Sequence, residues 1–385
     1  MDRKLELIAT TTFGVEAVVK WELTALGFPI LRTENGKVTF SADAAGLARA
    51  NLWLRSADRV LLKTGEFRAV TFDELFEATL ALPWEDYIAP DGKFTVNGKS
   101  VKSTLFSISD CQAIVKKAIA RRLGKAYGTA WLPETGAEHT VLVSLLSDVV
   151  TLTIDASGTA LHKRGYRQNA VTAPLKETLA AALVQLSYWN ADRVLHDVFC
   201  GSGTIPIEAS LIGHKMAPGL RRDFDACHWH WMDKAVWEDE RNKAREAVLD
   251  RPLKIFASDI DGTSLEAAKA NAMAAGLPAG EIVWEKKDFR NVDYREKYGV
   301  LISNPPYGER LSDPEAIGAL YRDMEDLFSR LDTWSIYILT AHPGFSALKK
   351  RQADRVRKLY NGNIETLYHQ FQGPKPPWLA GKNAE

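Results

Sequence analysis

The last two apolar segments of the chain, residues 355–360 and 364–371, are separated only by Asn361-Gly362-Asn363. Parallel neighbours need a crossover of a dozen or more residues, so these two segments must form an antiparallel hairpin. The stretch from about residue 170 to that hairpin alternates instead. Strands are expected at 193–200, 253–258, 282–287, 300–303 and 334–340, with apolar helices between most of them. Alternation of this kind predicts a parallel sheet covered on both faces. A mostly parallel sheet with one reversed terminal hairpin is a narrower topology than a generic Rossmann fold.

The first half has a different rhythm. A strand is expected at 4–10, then a helix at 14–26 with Val15, Val18, Val19, Leu23 and Leu26 on one face and Gly27 as its stop. Asn35-Gly36 suggests a hairpin into 37–40, followed by a helix at 42–51 and a strand at 58–64. That order is what a small ferredoxin-like unit gives. Beyond Phe67 come a helix (71–80), a strand (93–97), a long helix (107–124) and strands at 140–146 and 149–155. A length of 385 residues, 46% of them hydrophobic, leaves room for two or three domains with their own cores. We expect divisions at 1–65, 66–160 and 161–385.

Lys+Arg and Asp+Glu both total 49, which rules out a uniformly basic coat for nucleic acid but not a local patch. Residues 93–125 hold eight basic side chains against one acid, Asp110. On the long helix these include Lys116, Lys117, Arg121 and Arg122. The segment His162-Lys163-Arg164-Gly165-Tyr166-Arg167 adds three more cations. Cations that neutralise phosphates supply most sequence-independent affinity for nucleic acid, and an interleaved tyrosine can stack on a base. A solvated helix face explains the run equally well on composition alone. No apolar run approaches ~18 residues, so no spanning helix is expected. The start, MDRKLELIATT, lacks the apolar core of a secretory signal. Three widely spaced cysteines, Cys111, Cys200 and Cys227, predict a reducing, cytoplasmic setting without a disulfide framework.

Four motifs at strand ends carry the chemistry. The first, Asp197-Val198-Phe199-Cys200-Gly201-Ser202-Gly203-Thr204, joins a strand to a helix where open α/β sheets bind ligands. A lone Gly-x-Gly is also compatible with a plain tight turn. The third glycine of a dinucleotide fingerprint is absent, and a carboxylate at Asp197 suits a cationic amino group better than a pyrophosphate. Both points favour S-adenosylmethionine over NAD. The second, Ser258-Asp259-Ile260-Asp261, places an acid where it can accept from ribose hydroxyls, while Asp261 is expected to cap the next helix. The third, Lys287-Asp288-Phe289, offers an acceptor for an adenine amine and a ring to pack on it. The fourth is Ser303-Asn304-Pro305-Pro306-Tyr307-Gly308-Glu309-Arg310, directly after an apolar strand. Two prolines remove two backbone donors and stiffen the turn. The Asn304 amide oxygen and the Pro305 carbonyl can then face one exocyclic amine as acceptors, and Tyr307 offers a face to a base turned out of its stack.

With these stretches, and with HKRGYR and APLKETLAAAL at 162–183, the chain resembles the bacterial THUMP-domain class I S-adenosylmethionine-dependent RNA methyltransferases. Within them it is similar to the RlmL-like family that methylates guanine N2 of 23S ribosomal RNA, members of which are often labelled N6-adenine-specific DNA methylases. The resemblance covers nearly all 385 residues and is most specific in the catalytic half. It implies a Rossmann-like, seven-stranded methyltransferase sheet with a terminal antiparallel hairpin, preceded by ferredoxin-like and THUMP α+β domains. It also implies that Asp197, Phe199, Gly201 and Gly203 line the methionine side of the cofactor. Asp259 would then hold the ribose, Ile260 flank the adenine, and Asp288 with Phe289 meet the adenine amine. Asn304, Pro305, Pro306 and Tyr307 would hold the target base. The implied partner is large-subunit ribosomal RNA or an assembly intermediate, contacted through Lys116, Lys117, Arg121, Arg122, Lys163, Arg164 and Arg167. No membrane, metal or obligate protein partner is expected. Some relatives carry a second, fused methyltransferase domain, which is not expected here.

Two other functions fit parts of the pattern. An Asn-Pro-Pro-aromatic loop also serves DNA adenine-N6 methyltransferases, and a non-catalytic RNA-binding assembly factor could keep the same fold. Cys200 sits inside the glycine turn, which argues against a covalent cytosine mechanism. Cys227-x-x-His230 has no second pair at ligand spacing, so a structural role is expected. An insertion at about 213–250, rich in Trp, Arg and His, has no assigned role.

Overall fold

The structure is a computed structural model and describes residues 4–167, 175–306, 314–343, 345, 347–348 and 351–379. It divides into two compact units. One holds the chain up to residue 161 apart from 12–18, and also takes in 222–246; the other holds 12–18, 162–221 and the chain from 247 onward.

The first unit runs β1 (Leu5–Thr10), α1 (Glu16–Ala25), β2 (Ile30–Glu34), β3 (Lys37–Ala42), α2 (Ala44–Trp53), β4 (Arg59–Arg68), α3 (Phe72–Leu80), β5 (Lys93–Val101), α4 (Ile108–Tyr127), β6 (Glu138–Leu146) and β7 (Val149–Asp155). The first four strands lie in the order β2-β3-β1-β4, all antiparallel, which is the ferredoxin-like arrangement. This sheet does not end at the expected boundary. The ten-residue β4 pairs with β1 along one side and with β7 along the other, so all seven strands form one sheet, β2-β3-β1-β4-β7-β6-β5. A register shift between Lys63 and Gly65 marks the change of neighbourhood within that strand. Local sequence sets the helix starts. Thr71 and Glu74 form a reciprocal capping box at α3, and the Asp43 carboxylate accepts from the Gly46 amide at α2.

The second unit begins with α5 (Glu177–Leu186), β8 (Leu195–Asp197) and α6 (Thr204–Gly213). Next comes α7 (Lys234–Glu246), which belongs to the first unit. The second unit resumes with β9 (Ile255–Asp259), α8 (Gly262–Ala274), β10 (Ile282–Lys286), β11 (Val300–Ser303), α9 (Pro314–Phe328), β12 (Ser335–Thr340), the short pair β13 (Ala347–Leu348) and β14 (Arg351–Gln352), β15 (Arg355–Asn361) and β16 (Ile364–Phe371). Its main sheet has the order β10-β9-β8-β11-β12-β16-β15. Every pairing is parallel up to β12, and β16 is antiparallel to both its neighbours, as the three-residue hairpin requires. Leu301, Ile336, Ile338 and Phe371 from the sheet bury against Tyr321, Met324 and Phe328 of α9. Each such side chain contributes about 1.5–3 kcal/mol on burial, which fixes β11 and the loop after it.

The insertion acquires a structural role. Arg49 of α2 makes a bidentate pair with the buried Glu240 of α7, at 2.8 and 2.9 Å. Trp229 stacks on His139 of β6, with ring centroids 5.4 Å apart, and donates its indole N–H to the Glu138 carbonyl. Residues 222–246 thus complete the amino-terminal unit although they lie inside the other half of the sequence.

Candidate active site

The site is built where β8, β9, β10 and β11 end. After β8 the chain turns through Gly201 (φ 50°) and Gly203 (φ 82°) into α6. Both angles lie in the left-handed region that favours glycine. A Cβ on Gly203 would also stand 2.8 Å from the Trp284 ring and 3.0 Å from the Ala268 Cβ, whereas one on Gly201 would meet nothing within 4 Å. The turn is tied to β9. The Gly201 amide donates to Asp259 Oδ2 at 2.8 Å, the Asp261 amide donates to Asp259 Oδ1 at 3.0 Å, and the Cys200 amide donates to the Ser258 carbonyl. Asp261 accepts from Thr263 and Ser264 and caps α8, as expected.

Beneath the turn, Asp197 is buried. Its Oδ1 accepts from the Ser303 hydroxyl at 2.7 Å and from the Phe199 amide at 3.2 Å. Burial pushes this carboxyl up to about 7; the Ser303 and Phe199 bonds pull it back, and the nearby Asp259 charge adds to the rise. Burial, and then the same two carboxylates, drive the Cys200 thiol well above its ordinary value, which leaves it no nucleophilic character at neutral pH.

Val198, Phe199, Gly201, Asp259, Ile260, Asp288, Phe289, Arg290, Asn304, Pro306 and Leu320 line one cavity of about 340 Å³. That is at the low end of the ~300–1,000 Å³ usual for small-molecule sites. Eight of the expected cofactor and base residues therefore meet in one place. Ile260, 67% exposed, lines the same cavity. Asn304 is buried, and its Oδ1 has no hydrogen-bond partner among the described residues. A buried acceptor left unpaired costs about 1–3 kcal/mol unless something fills its place.

Some expected residues sit elsewhere. Asp197, Gly203 and Pro305 are not part of the cavity wall: Asp197 lies behind it, Gly203 packs on Trp284 and Ala268, and Pro305 is buried. Tyr307 and residues 308–313 lie outside the described residues, as does 168–174, which includes part of APLKET. Asp288 lines the cavity and already accepts from Arg290. Its Oδ1 takes the Arg290 amide and its Oδ2 pairs with the Arg290 guanidinium at 2.8 Å. Arg290 also grips Asp323 of α9 and covers Phe289, 4.7 Å from its ring centroid. Sequence reading missed Arg290, Leu320 and Ser303; directly after a motif, an arginine carries no signal of its own.

Comparison with known proteins assigns this architecture. A family described as RMKL-like, methyltransferase domain, matches residues 164–370; an RlmL ferredoxin-like domain matches 6–61 and a THUMP domain matches 69–155. YpsC of Bacillus subtilis (strain 168), named as a candidate RNA methyltransferase, is 50% identical over 373 residues, 96% of each chain. The chain belongs to the RMKL-like methyltransferase family. The ribosomal RNA large subunit methyltransferase K/L of Syntrophotalea carbinolica is 33% identical over 96% of this chain, which spans 54% of that protein. Among solved structures, a predicted N6-adenine-specific DNA methylase from Listeria monocytogenes shares 50% identity over 97% of both chains, with a TM-score of 0.92. A candidate methyltransferase complexed with SAH shares 42% identity over 98% of this chain and 100% of that one, also at 0.92. The cavity fits S-adenosylmethionine, the methyl donor expected from the sequence. Carboxylates stand where hydroxyls and a cationic donor need acceptors, and Phe199, Phe289 and Ile260 offer apolar surface for an aromatic ring.

Within this family framework the basic residues separate into two groups. Lys116, Lys117 and Arg121 are exposed on α4 of the THUMP segment, spread over the Phe94 and Phe76 rings, and Lys163 is exposed. Arg122 instead forms an ion pair with Glu85. Arg164 is buried, with its guanidinium 3.5 Å from Glu208, and Arg167 is held by Thr204 Oγ1, the Leu175 carbonyl and Glu177. Arg122, Arg164 and Arg167 were expected to meet RNA. Arg164 and Arg167 are largely buried against carboxylates, which leaves little of either cation for a phosphate, whereas the Arg122 side chain stays partly exposed in its pair with Glu85. Among the described residues no group of three or more His, Cys, Asp or Glu could hold a metal ion, and no helix is long and apolar enough to cross a membrane.

Proposed function

We propose that this chain methylates an exocyclic base amine of RNA, with guanine N2 of 23S ribosomal RNA as the substrate. The observation that carries the reading is the buried Asn304 Oδ1, without a hydrogen-bond partner among the described residues, in the wall of a cavity that also presents Asp259 and Phe199. S-adenosylmethionine supplies, when bound, a methyl group activated by a sulfonium. Asp259 and the glycine turn hold the donor, with Asp197 contributing negative charge from behind the wall. Asn304 Oδ1 and the Pro305 carbonyl accept the two amine hydrogens and fix the direction of the nitrogen lone pair, while Tyr307 stacks on the base. Positive charge grows on that nitrogen as it attacks, so acceptors fixed beforehand oppose it most strongly in the transition state. No strong general base is required, because an alkylated amine loses its proton readily.

The exposed cations of α4 and Lys163 bring the RNA phosphates to the protein, and the chain divides into domains at 1–65, 66–160 and 161–385. A ribosomal substrate implies a cytoplasmic location. Support for RNA comes from the THUMP match and from the names of the curated relatives. The name of the Listeria relative favours a second reading, adenine N6 of DNA. Mass spectrometry of ribosomal RNA nucleosides, with and without this protein, is expected to show loss of N2-methylguanosine in its absence. Incorporation of labelled methyl into duplex DNA but not into stripped ribosomal RNA would replace the first reading by the second.

A further inference from the structure

We propose that Ser303 is a positioning residue that locks the Asn304-Pro305-Pro306 corner to the glycine-turn strand through a single hydroxyl. The inference rests on the site reading above and extends it to a residue that touches neither the cavity nor a base. Ser303 is the last residue of β11 and is fully buried. Its Oγ donates to Asp197 Oδ1 at 2.7 Å and accepts from the Val198 amide at 3.0 Å. The regular pairing of β8 with β11 covers only Leu195↔Val300 and Leu301↔His196. Beyond it, the two strand ends are joined through this side chain.

One strand end carries the wall residues Val198, Phe199 and Gly201; the other continues at once into Asn304. Ser303 therefore sets the registry between donor wall and base acceptor. On the opposite side, among the described residues, the corner is reached by the Tyr321 hydroxyl, 3.4 Å from the Pro306 carbonyl. The charged and titratable groups facing Asp197 are Asp259, from β9, and the Cys200 thiol. Asp259 has no proton to donate in place of the serine, and the Cys200 thiol, a weak donor, is directed at the Gly201 carbonyl at 3.8 Å. Loss of the hydroxyl thus loosens the corner and leaves Asp197 with less support for its ionised form.

The test uses the full chain carrying Ser303→Ala, and Ser303→Cys as a variant that keeps nearly the same volume while donating weakly. Either variant is expected to lose on the order of 10²-fold in kcat with RNA KM unchanged, since a displacement of about 1 Å has that effect. The pH midpoint of S-adenosylhomocysteine affinity is expected to move upward in both variants. Wild-type kcat and an unmoved midpoint in whichever variant folds would overturn the proposal. A merely structural serine would lower the melting temperature without moving the midpoint, and that result also overturns it. Failure of the wild-type chain to bind S-adenosylhomocysteine at all would sink the site reading itself, which keeps the two failures distinct.

Discussion

Asp197 concentrates the electrostatic tension of the site. Its carboxyl releases a proton at about 7 in the folded chain against an ordinary 3.8. Between those values the unfolded chain gives up the proton and the folded chain keeps it, so stability declines as pH rises through that window and the penalty is complete above 7. Asp197→Asn should therefore stabilise the fold above pH 7, by on the order of 2–4 kcal/mol, and little near pH 4. Denaturant titrations at both pH values check this; an equal effect at the two would contradict the shift. The same substitution should weaken S-adenosylhomocysteine binding. Asn304 was legible in the sequence because two prolines leave its loop few conformations. Asp288 lines the cavity as its motif suggested, but its pairing with Arg290, which folds back from two residues away, was not read, because strand-end motifs do not display such local contacts.

The two glycines of the β8–α6 turn look equivalent in sequence and differ in the structure. Gly203→Ala meets both a left-handed φ and the Trp284 and Ala268 contacts, whereas Gly201→Ala meets the φ alone. The first should destabilise the fold by about 3 kcal/mol or more, the second by about 1–2 kcal/mol. Thermal unfolding of both variants tests the order, and equal losses would contradict the packing argument. Gly201→Ala should cost more in donor affinity, since only Gly201 lines the cavity. The strands of the second unit were readable because β8 to β12 are short apolar runs between helices and the final turn has three residues. The helix α7 was not read. Its sequence, KAVWEDERNKARE, is mostly charged, and its buried side is Trp237, Glu240 and Ala244, with a carboxylate where periodicity looks for an apolar residue. Nor was the fusion of the first unit into one sheet, because strand alternation does not reveal that both edges of β4 are paired.

Residues 222–246 lie within the 161–385 segment of the sequence and belong to the amino-terminal compact unit. Arg49 and Glu240 should accordingly be coupled: a double-mutant cycle with Arg49→Ala and Glu240→Ala is expected to give about 1–3 kcal/mol of interaction energy. Additive losses would show that the insertion contributes nothing through this pair. The topology of both sheets and the convergence of strand-end motifs on one cavity make methyl transfer to a base amine the account's central claim. Asn304→Ala tests it most directly, by incorporation of labelled methyl into ribosomal RNA alongside calorimetric titration with S-adenosylhomocysteine. Donor affinity within about threefold of wild type, with methyl incorporation abolished, is the result the account requires. Methyl transfer at the wild-type rate would contradict it.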